Sequence, residues 1–133
     1  MSRENVEIVR RWVQAWDWED LSAWLEFLDR DIRWIPTPQH PEETDIRGHD
    51  QTLAFLHEWV APWDTYTVRL AEIIDANGDV VFVVLRHSGQ QSQSGLELDM
   101  SLPGIITFRR GKIIETRWFL ERSDALEAVG LRE

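Results

Sequence analysis

The first third of the chain carries two apolar stripes with helical spacing. An apolar residue recurs every three or four positions from Glu4 to about Trp16, which predicts a first helix. A second stripe predicts a second helix directly afterwards, with Asp20 as its N-cap. The first stripe consists of Val6, Val9, Val13 and Trp16, and the second of Leu21, Trp24, Leu25 and Leu28.

The pattern then changes to strict alternation. Residues 31–35 alternate between polar and apolar side chains and are followed by two prolines, which predicts a short strand that ends there. Residues 37–47 are polar and rich in turn-forming residues, so we expect a loop. A third helix is predicted to begin at Gly48 and to end before Pro62. Its broad apolar face consists of Leu53, Phe55, Leu56, Trp59 and Val60.

The second half of the chain has the pattern of an antiparallel sheet. The Asn77-Gly78 pair predicts a two-residue hairpin, because both residues tolerate the positive φ angles of such turns. Strand 79–88 is apolar at both alternating sets of positions, so both of its faces should be covered. Helices before a run of antiparallel strands indicate an α+β fold, here a single domain over residues 1–133. The other predicted elements are strands from Thr65 to the hairpin, 96–108 and 112–121, and a short helix over 124–129, capped by Ser123 and ended by Gly130.

Composition narrows the classes of function. The 133 residues carry 24 acidic and 14 basic side chains, a formal net charge of -10. Such a charge repels phosphate backbones and anionic lipid, so we expect neither a nucleic-acid nor a membrane partner. The sequence contains no cysteine, which excludes disulfides and thiolate metal sites. A polar N-terminal segment and the lack of a long apolar run predict a cytoplasmic location.

The order of elements resembles the SnoaL-like, polyketide cyclase-like branch of the NTF2-like superfamily. The resemblance covers essentially the whole chain. It depends on the order and spacing of several stretches, none of which is a catalytic motif. These stretches are Ile46-Arg47-Gly48-His49, Gly111-Lys112-Ile113-Ile114, Phe119-Leu120-Glu121-Arg122 and the segment from Ala125 to Leu131.

The resemblance implies a cone, in which a curved antiparallel sheet wraps around three N-terminal helices and encloses a deep apolar cavity. It also implies a homodimer formed through the outer face of the sheet, which would cover the second apolar face of strand 79–88. Several tryptophans would then form flat cavity walls suited to an aromatic ligand, although all eight could instead fill a small core. The expected ligand-binding residues are Trp12, Trp16, Trp34, Pro36, Trp59, Met100, Gly104 and Trp118.

The known acid–base groups of related enzymes have no counterpart in this chain. By the resemblance, Trp34, Pro36, Val84, Arg86 and Trp118 occupy the positions of the functional groups of limonene-type epoxide hydrolases. The Tyr of ketosteroid isomerase is replaced by Trp12. Its oxyanion Asp is replaced by Gly104 or Pro103, and its base by Ile35 or Pro36.

Arg86 and His87 are the remaining candidates for a catalytic group. They lie on opposite faces of one strand, so one of the two can point into the cavity. Alignment to the epoxide hydrolases places Arg86 inside, and alignment to ketosteroid isomerase places His87 inside. We favour Arg86, because that alignment is nearly free of gaps. An inward Arg would anchor a carboxylate or an enolate, whereas an inward His would be a general base.

Other polar residues are weaker candidates. His40 in the predicted loop and His49 at the start of the third helix could lie near the cavity opening. Simple alternation places Asp99 outside. No spacing typical of a metal site is present, and we expect neither a metal nor a cofactor.

The sequence therefore predicts a small-molecule pocket protein of the SnoaL-like type with a hydrophobic or aromatic, polyketide-like ligand. If it is an enzyme, cofactor-free isomerisation, cyclisation or hydrolysis is expected. The alternatives are a non-catalytic protein that binds a hydrophobic ligand and a dimeric interaction module.

Overall fold

A computed structural model describes residues 2–37 and 46–131. The chain order of the elements is ααββαββββα. The helices are α1 (Ser2–Gln14), α2 (Ser22–Leu25), α3 (Gly48–Val60) and α4 (Arg122–Ala128). The strands are β1 (Leu28–Ile35), β2 (Ile46–Arg47), β3 (Thr65–Asn77), β4 (Val80–Gln90), β5 (Glu97–Arg109) and β6 (Lys112–Trp118). The α+β prediction is confirmed, as a curved, open sheet of six strands packed with helices.

The six strands follow the order β2-β1-β6-β5-β4-β3. Neighbouring strands are antiparallel except for β1 and β6, which run parallel. The predicted hairpin joins β3 and β4, but its turn lies one residue later than predicted, at Gly78-Asp79, because Asn77 pairs with Val80. Gly78 has the positive φ of such a turn, 58°. Strand β3 contains two register shifts, one between Leu70 and Glu72 and one between Asp75 and Asn77. Such bulges bend and twist a strand.

The inner face of the sheet and the helices α1 and α3 enclose the main core. Alternate residues of β4 point inward, and Val81, Val83 and Leu85 are all nearly or fully buried. Helix α1 contributes Val9 and Trp12 to the same core, and β1 contributes Ile32. The helical stripe of the first segment and the alternation of the strands therefore meet on one apolar surface.

The outer face of β4 is buried by the chain itself. Phe82 and Val84 pack with Ala125 and Leu126 of α4, and Phe82 is 0% exposed. The guanidinium of Arg122 adds two hydrogen bonds to the carboxylate of Glu72, at 2.9 and 2.6 Å, and lies 5.6 Å from the Phe82 ring centre. The outer apolar face of this strand therefore needs no partner subunit to cover it. This corrects our explanation, in which a homodimer covers that face.

Several boundaries differ from the predicted ones, and residues 46–47 of the predicted loop form β2. The predicted second helix is reduced to four residues, and β1 begins already at Leu28, because Leu28 pairs with Ile113 of β6. Strand β6 ends at Trp118 rather than at residue 121. Helix α4 begins at Arg122, so Ser123 is inside the helix and is not its cap.

Candidate functional site

A cavity opens between the inner face of the sheet and helices α1 and α3. Its volume is about 60 Å³, within a recess that holds about 630 Å³ of empty space counted out to solvent. Small-molecule sites typically measure roughly 300–1,000 Å³. At about 60 Å³ the cavity is well below this range, so it has room for only a small ligand unless its walls move. The lining consists of Trp12, Val13, Trp16, Trp24, Trp34, Pro36, Thr37, Phe55, Leu56, Trp59, Val68, Leu85, His87, Leu102 and Trp118.

Tryptophan rings form a continuous chain of contacts along the wall of the cavity. The ring of Trp24 stacks on Trp12 at a centroid distance of 5.3 Å and meets the edge of Trp16 at 5.6 Å. Trp34 continues the chain, 5.7 Å from Trp24 and 5.7 Å from Trp118. Aromatic pairs at these distances add stabilisation beyond the area they bury, so the wall is held in place before any ligand arrives.

Gly104 on β5 supports this wall without lining the cavity. A Cβ atom at this position would lie 2.3 Å from Cζ3 of Trp118 and 2.4 Å from its Cε3. The residue must therefore be glycine for the Trp118 ring to lie flat on the strand. That ring separates Gly104 from the cavity. Met100 packs against the core and is also absent from the lining, so neither is placed where our prediction expected it.

The polar part of the site is a chain of hydrogen bonds from helix α3 to strand β4. Nε1 of Trp59 donates to the hydroxyl of Tyr66 at 2.5 Å. The same hydroxyl lies 2.7 Å from Nδ1 of His87. Nε1 of Trp16 donates to the backbone carbonyl of Tyr66 at 3.1 Å. Tyr66 is 1% exposed, so it links the three side chains from below the cavity wall.

Burial governs the protonation of this chain. It lowers the pKa of His87 from 6.5 to about 4, because a charged imidazolium loses its hydration there. It also raises the pKa of the Tyr66 hydroxyl to about 12, an effect larger than the opposing hydrogen bond from Trp59. At neutral pH both groups are therefore uncharged, and the site offers neutral hydrogen-bonding groups in an apolar cavity.

Arg86 lies outside the cavity, so our preference for an inward Arg86 is wrong. Its guanidinium makes two hydrogen bonds to Asp99 of β5, at 2.8 and 2.7 Å, and the two side chains are 57% and 58% exposed. Because Leu85 and His87 face the cavity, the residue between them must face outward. A guanidinium inside this cavity would also have lost its hydration without meeting a carboxylate of the described lining.

The remaining polar candidates have structural positions. His49 bonds through Nε2 to the backbone carbonyl of Leu28 at 2.9 Å and thereby ties α3 to β1. Asp99 faces outward, as alternation predicts. His40 lies outside the described residues. Within the described ranges, no group of three or more His, Asp or Glu side chains could hold a metal ion. No described helix combines the length and the apolar composition that a membrane crossing requires.

The sequence prediction missed several residues of the site, among them Trp24 and Tyr66. Trp24 belongs to the cavity wall, whereas its helical spacing assigned it to the core. Tyr66, the one tyrosine of the chain, was not singled out at all. Tyr66 and Val68 are two residues apart on a predicted strand, so their side chains lie on the same face. This spacing was the signal that could have identified Tyr66.

Comparisons with known proteins point to one family. The model of the SnoaL-like domain family matches residues 9–116. An NTF2-like protein of Burkholderia thailandensis E264 is 25% identical with a TM-score of 0.73, over 91% of this chain and 95% of that one. An NTF2-like protein of Burkholderia pseudomallei K96243 is 18% identical with a TM-score of 0.75, over 96% and 98%. TerC, co-crystallised with polyporic acid, is 17% identical with a TM-score of 0.75, over 95% and 98%. No curated protein matches the sequence significantly.

Proposed function

The chain belongs to the SnoaL-like domain family, and we propose that it binds a small, flat, hydrophobic molecule between the tryptophan rings of its cavity. The observation that carries this proposal is the continuous aromatic wall of the small apolar cavity. Flat, rigid, apolar surfaces favour an aromatic ligand, which gains contact area on both of its faces. The co-crystal of TerC with polyporic acid supports small-molecule binding by a protein of this fold.

Binding is better supported than acid–base catalysis. No Asp or Glu of the described chain lines the cavity, and burial moves the pKa of His87 away from neutrality. A general base acts best with a pKa near the working pH. His87 is consequently a poor base, and the described lining offers no second proton-transfer group.

Cofactor-free isomerisation or cyclisation is the second candidate. The neutral His87, held by Tyr66, could polarise a carbonyl group by donating a hydrogen bond, as neutral histidines do in some enolising enzymes. This candidate also needs a base, which a substrate or water would have to supply.

The interaction-module alternative has less support. In that case Trp12, Trp34 and Trp118 would fill the cavity by mutual contact. Trp34 and Trp118 do touch, but Trp12 stacks on Trp24 and the recess stays open. A homodimer through the outer sheet face and a cytoplasmic location both stay predictions.

A panel of flat aromatic compounds tests the proposed binding. Naphthalene, 1-indanone, 9-fluorenone and anthraquinone would be titrated while the melting temperature is followed, because a ligand that binds the native state raises it. The blocking variant Val68→Phe places a ring in the cavity lining. The control variant Thr67→Phe adds the same ring at the next, exposed residue of β3.

We expect at least one compound to stabilise the wild type and Thr67→Phe, and Val68→Phe to lose about tenfold or more in affinity. The added ring of Val68→Phe would occupy space that the ligand needs, so the ligand would lose part of its apolar contacts. Such a loss costs about 1–3 kcal/mol, which corresponds to a tenfold or larger decrease in affinity. If no compound stabilises the wild type, or if Val68→Phe and Thr67→Phe bind equally well, the proposed function is wrong.

A further inference from the structure

We infer that the ligand of this cavity carries a neutral carbonyl oxygen, which accepts the Nε2 hydrogen of His87. This inference rests on the proposed function, because it names the class of molecule that the same cavity would bind. It also assigns Tyr66 and Trp59 the role of positioning residues. They set which nitrogen of His87 carries the hydrogen.

The direction of the hydrogen-bond chain follows from the chemistry of its members. An indole N–H can only donate, so the Tyr66 oxygen accepts from Trp59. We assign the single hydrogen of the Tyr66 hydroxyl to His87 Nδ1, at 2.7 Å, because this buried hydroxyl would otherwise have no acceptor for its hydrogen among these contacts. An Nδ1 that accepts a hydrogen bond in a neutral imidazole leaves the ring hydrogen on Nε2.

Nε2 of His87 is buried and has no hydrogen-bond partner in the part of the chain that the structure describes. The two ring nitrogens lie at different edges of the imidazole, so Nε2 points away from Tyr66. A buried donor without an acceptor costs free energy. Because His87 belongs to the cavity lining, a ligand oxygen that reached this edge of the ring would remove that cost.

Trp12 offers a second donor of the same kind. Its side chain is 1% exposed, it lines the cavity, and its Nε1 has no partner among residues 2–37 and 46–131. The indoles of Trp16 and Trp118, in contrast, donate to Tyr66 and Thr116 within the protein. Both buried polar atoms of the described lining that lack a partner, Nε1 of Trp12 and Nε2 of His87, are thus donors, which complements an acceptor on the ligand.

The acceptor should be a neutral carbonyl group rather than a carboxylate. The described lining contains no Arg or Lys, and Arg86 points outward to Asp99. A carboxylate would lose its hydration without meeting a positive charge. A ketone oxygen loses much less hydration and needs only the N–H groups that are present. The net charge of -10 acts against an anionic ligand as well.

A matched pair of ligands tests the inference. 1-Indanone and indane have the same fused rings and differ in one carbonyl oxygen, and indane-1-carboxylate adds a charged arm. Affinities would be measured by ¹H–¹⁵N NMR titration of the wild type, His87→Phe and Tyr66→Phe. Arg86→Gln, on the outer face beside His87, is the control. Two-bond ¹H–¹⁵N spectra of the imidazole would report the tautomer of His87 independently.

We expect the wild type and Arg86→Gln to bind 1-indanone roughly tenfold more tightly than indane, with the carboxylate weakest. In His87→Phe the preference should fall to about one while indane still binds. In Tyr66→Phe the fraction of the Nε2–H tautomer should decrease, and the preference with it.

The outcomes separate the two proposals. Binding of neither indane nor 1-indanone by the wild type would contradict the proposed function itself. Equal binding of both would leave that function intact and overturn the inference, because no carbonyl is then recognised. A preference that persists in His87→Phe, or a wild-type His87 with its hydrogen on Nδ1, would overturn the inference even if His87→Phe proves too unstable to titrate.

Discussion

His87 and Arg86 are adjacent in the chain and lie in opposite environments. The outward guanidinium finds a carboxylate and solvent, whereas the inward imidazole finds a phenol, indoles and aliphatic walls. Each environment selects a charge state: the hydrogen bonds that Arg86 donates to Asp99 raise the pKa of Arg86, and burial lowers that of His87. The strand thereby presents a cation to solvent and a neutral hydrogen-bonding group to the cavity.

This difference predicts a pH dependence of stability that is specific to His87. In the unfolded chain the imidazole takes up a proton as the pH falls through about 6.5, and in the folded protein it does so only near 4. The unfolded state therefore binds more protons between these values, so the free energy of unfolding falls as the pH is lowered from 6.5 to 4. The shift corresponds to a loss on the order of 3 kcal/mol.

Urea unfolding of the wild type and His87→Gln at pH 7 and pH 4.5 measures this contribution. Carboxylates titrate in both proteins, so the difference between the two pH dependences isolates His87. The wild type should lose roughly 2–3 kcal/mol more than the variant over this interval. Parallel pH dependences would show that the folded protein protonates His87 at its ordinary pH.

At the scale of elements, the strands and the third helix could be predicted from periodicity, and the site only in part. The spacing of Trp12 and Trp16 and the alternation around Trp34 identify cavity residues, because one apolar face of each element must point inward. The second helix was overestimated. Its apolar stripe is compatible with a helix, but Leu28 pairs with β6, so the last predicted turn belongs to strand β1 and not to the helix.

The contact between Tyr66 and His87 is set by the register of β3 against β4. Counting back from a two-residue turn at Asn77-Gly78 places Val68 opposite His87, which is the observed pair. In the structure the turn lies one residue later, with Asn77 paired to Val80, and the two register shifts in β3 restore the pairing of Val68 with His87 and bring Tyr66 beside the imidazole. A bulge inserts one residue without a clear sequence signature, so alternation alone cannot locate it.

Helix α4 should stabilise the fold without affecting the cavity. It packs on the outer face of β4 and β5, while the cavity lies on the inner face. Leu126 is 2% exposed, so Leu126→Ala should lower the free energy of unfolding by about 2–4 kcal/mol through lost contacts and a cavity. Glu127→Ala, at the next and exposed position, should change it by less than about 0.5 kcal/mol.

Chemical denaturation and ligand titration of the two α4 variants check this prediction. A folded Leu126→Ala with unchanged ligand affinity is expected. Equal stabilities of the two variants would mean that α4 does not hold the outer face, and the homodimer would again be needed to cover it.

At the scale of the whole molecule, the chain separates charge from apolar surface. The Arg86–Asp99 pair faces solvent, α4 covers the apolar outer face of β4, and six of the eight tryptophans line the inner cavity. An acidic exterior around a neutral aromatic cavity favours uncharged ligands over anionic ones. This separation of charge from apolar surface in the described part of the chain agrees with the ligand we propose, a flat, neutral molecule.

The indole N–H signals of the eight tryptophans test this account most directly. Six of these residues line the cavity, and Trp18 and Trp63 do not, so the protein contains its own controls. We would record ¹H–¹⁵N spectra during titration with the tightest-binding compound of the aromatic panel. The account predicts saturable shifts of the six cavity indoles and unchanged signals from Trp18 and Trp63. Shifts confined to Trp18 and Trp63, or equal shifts of all eight, would contradict binding in the cavity.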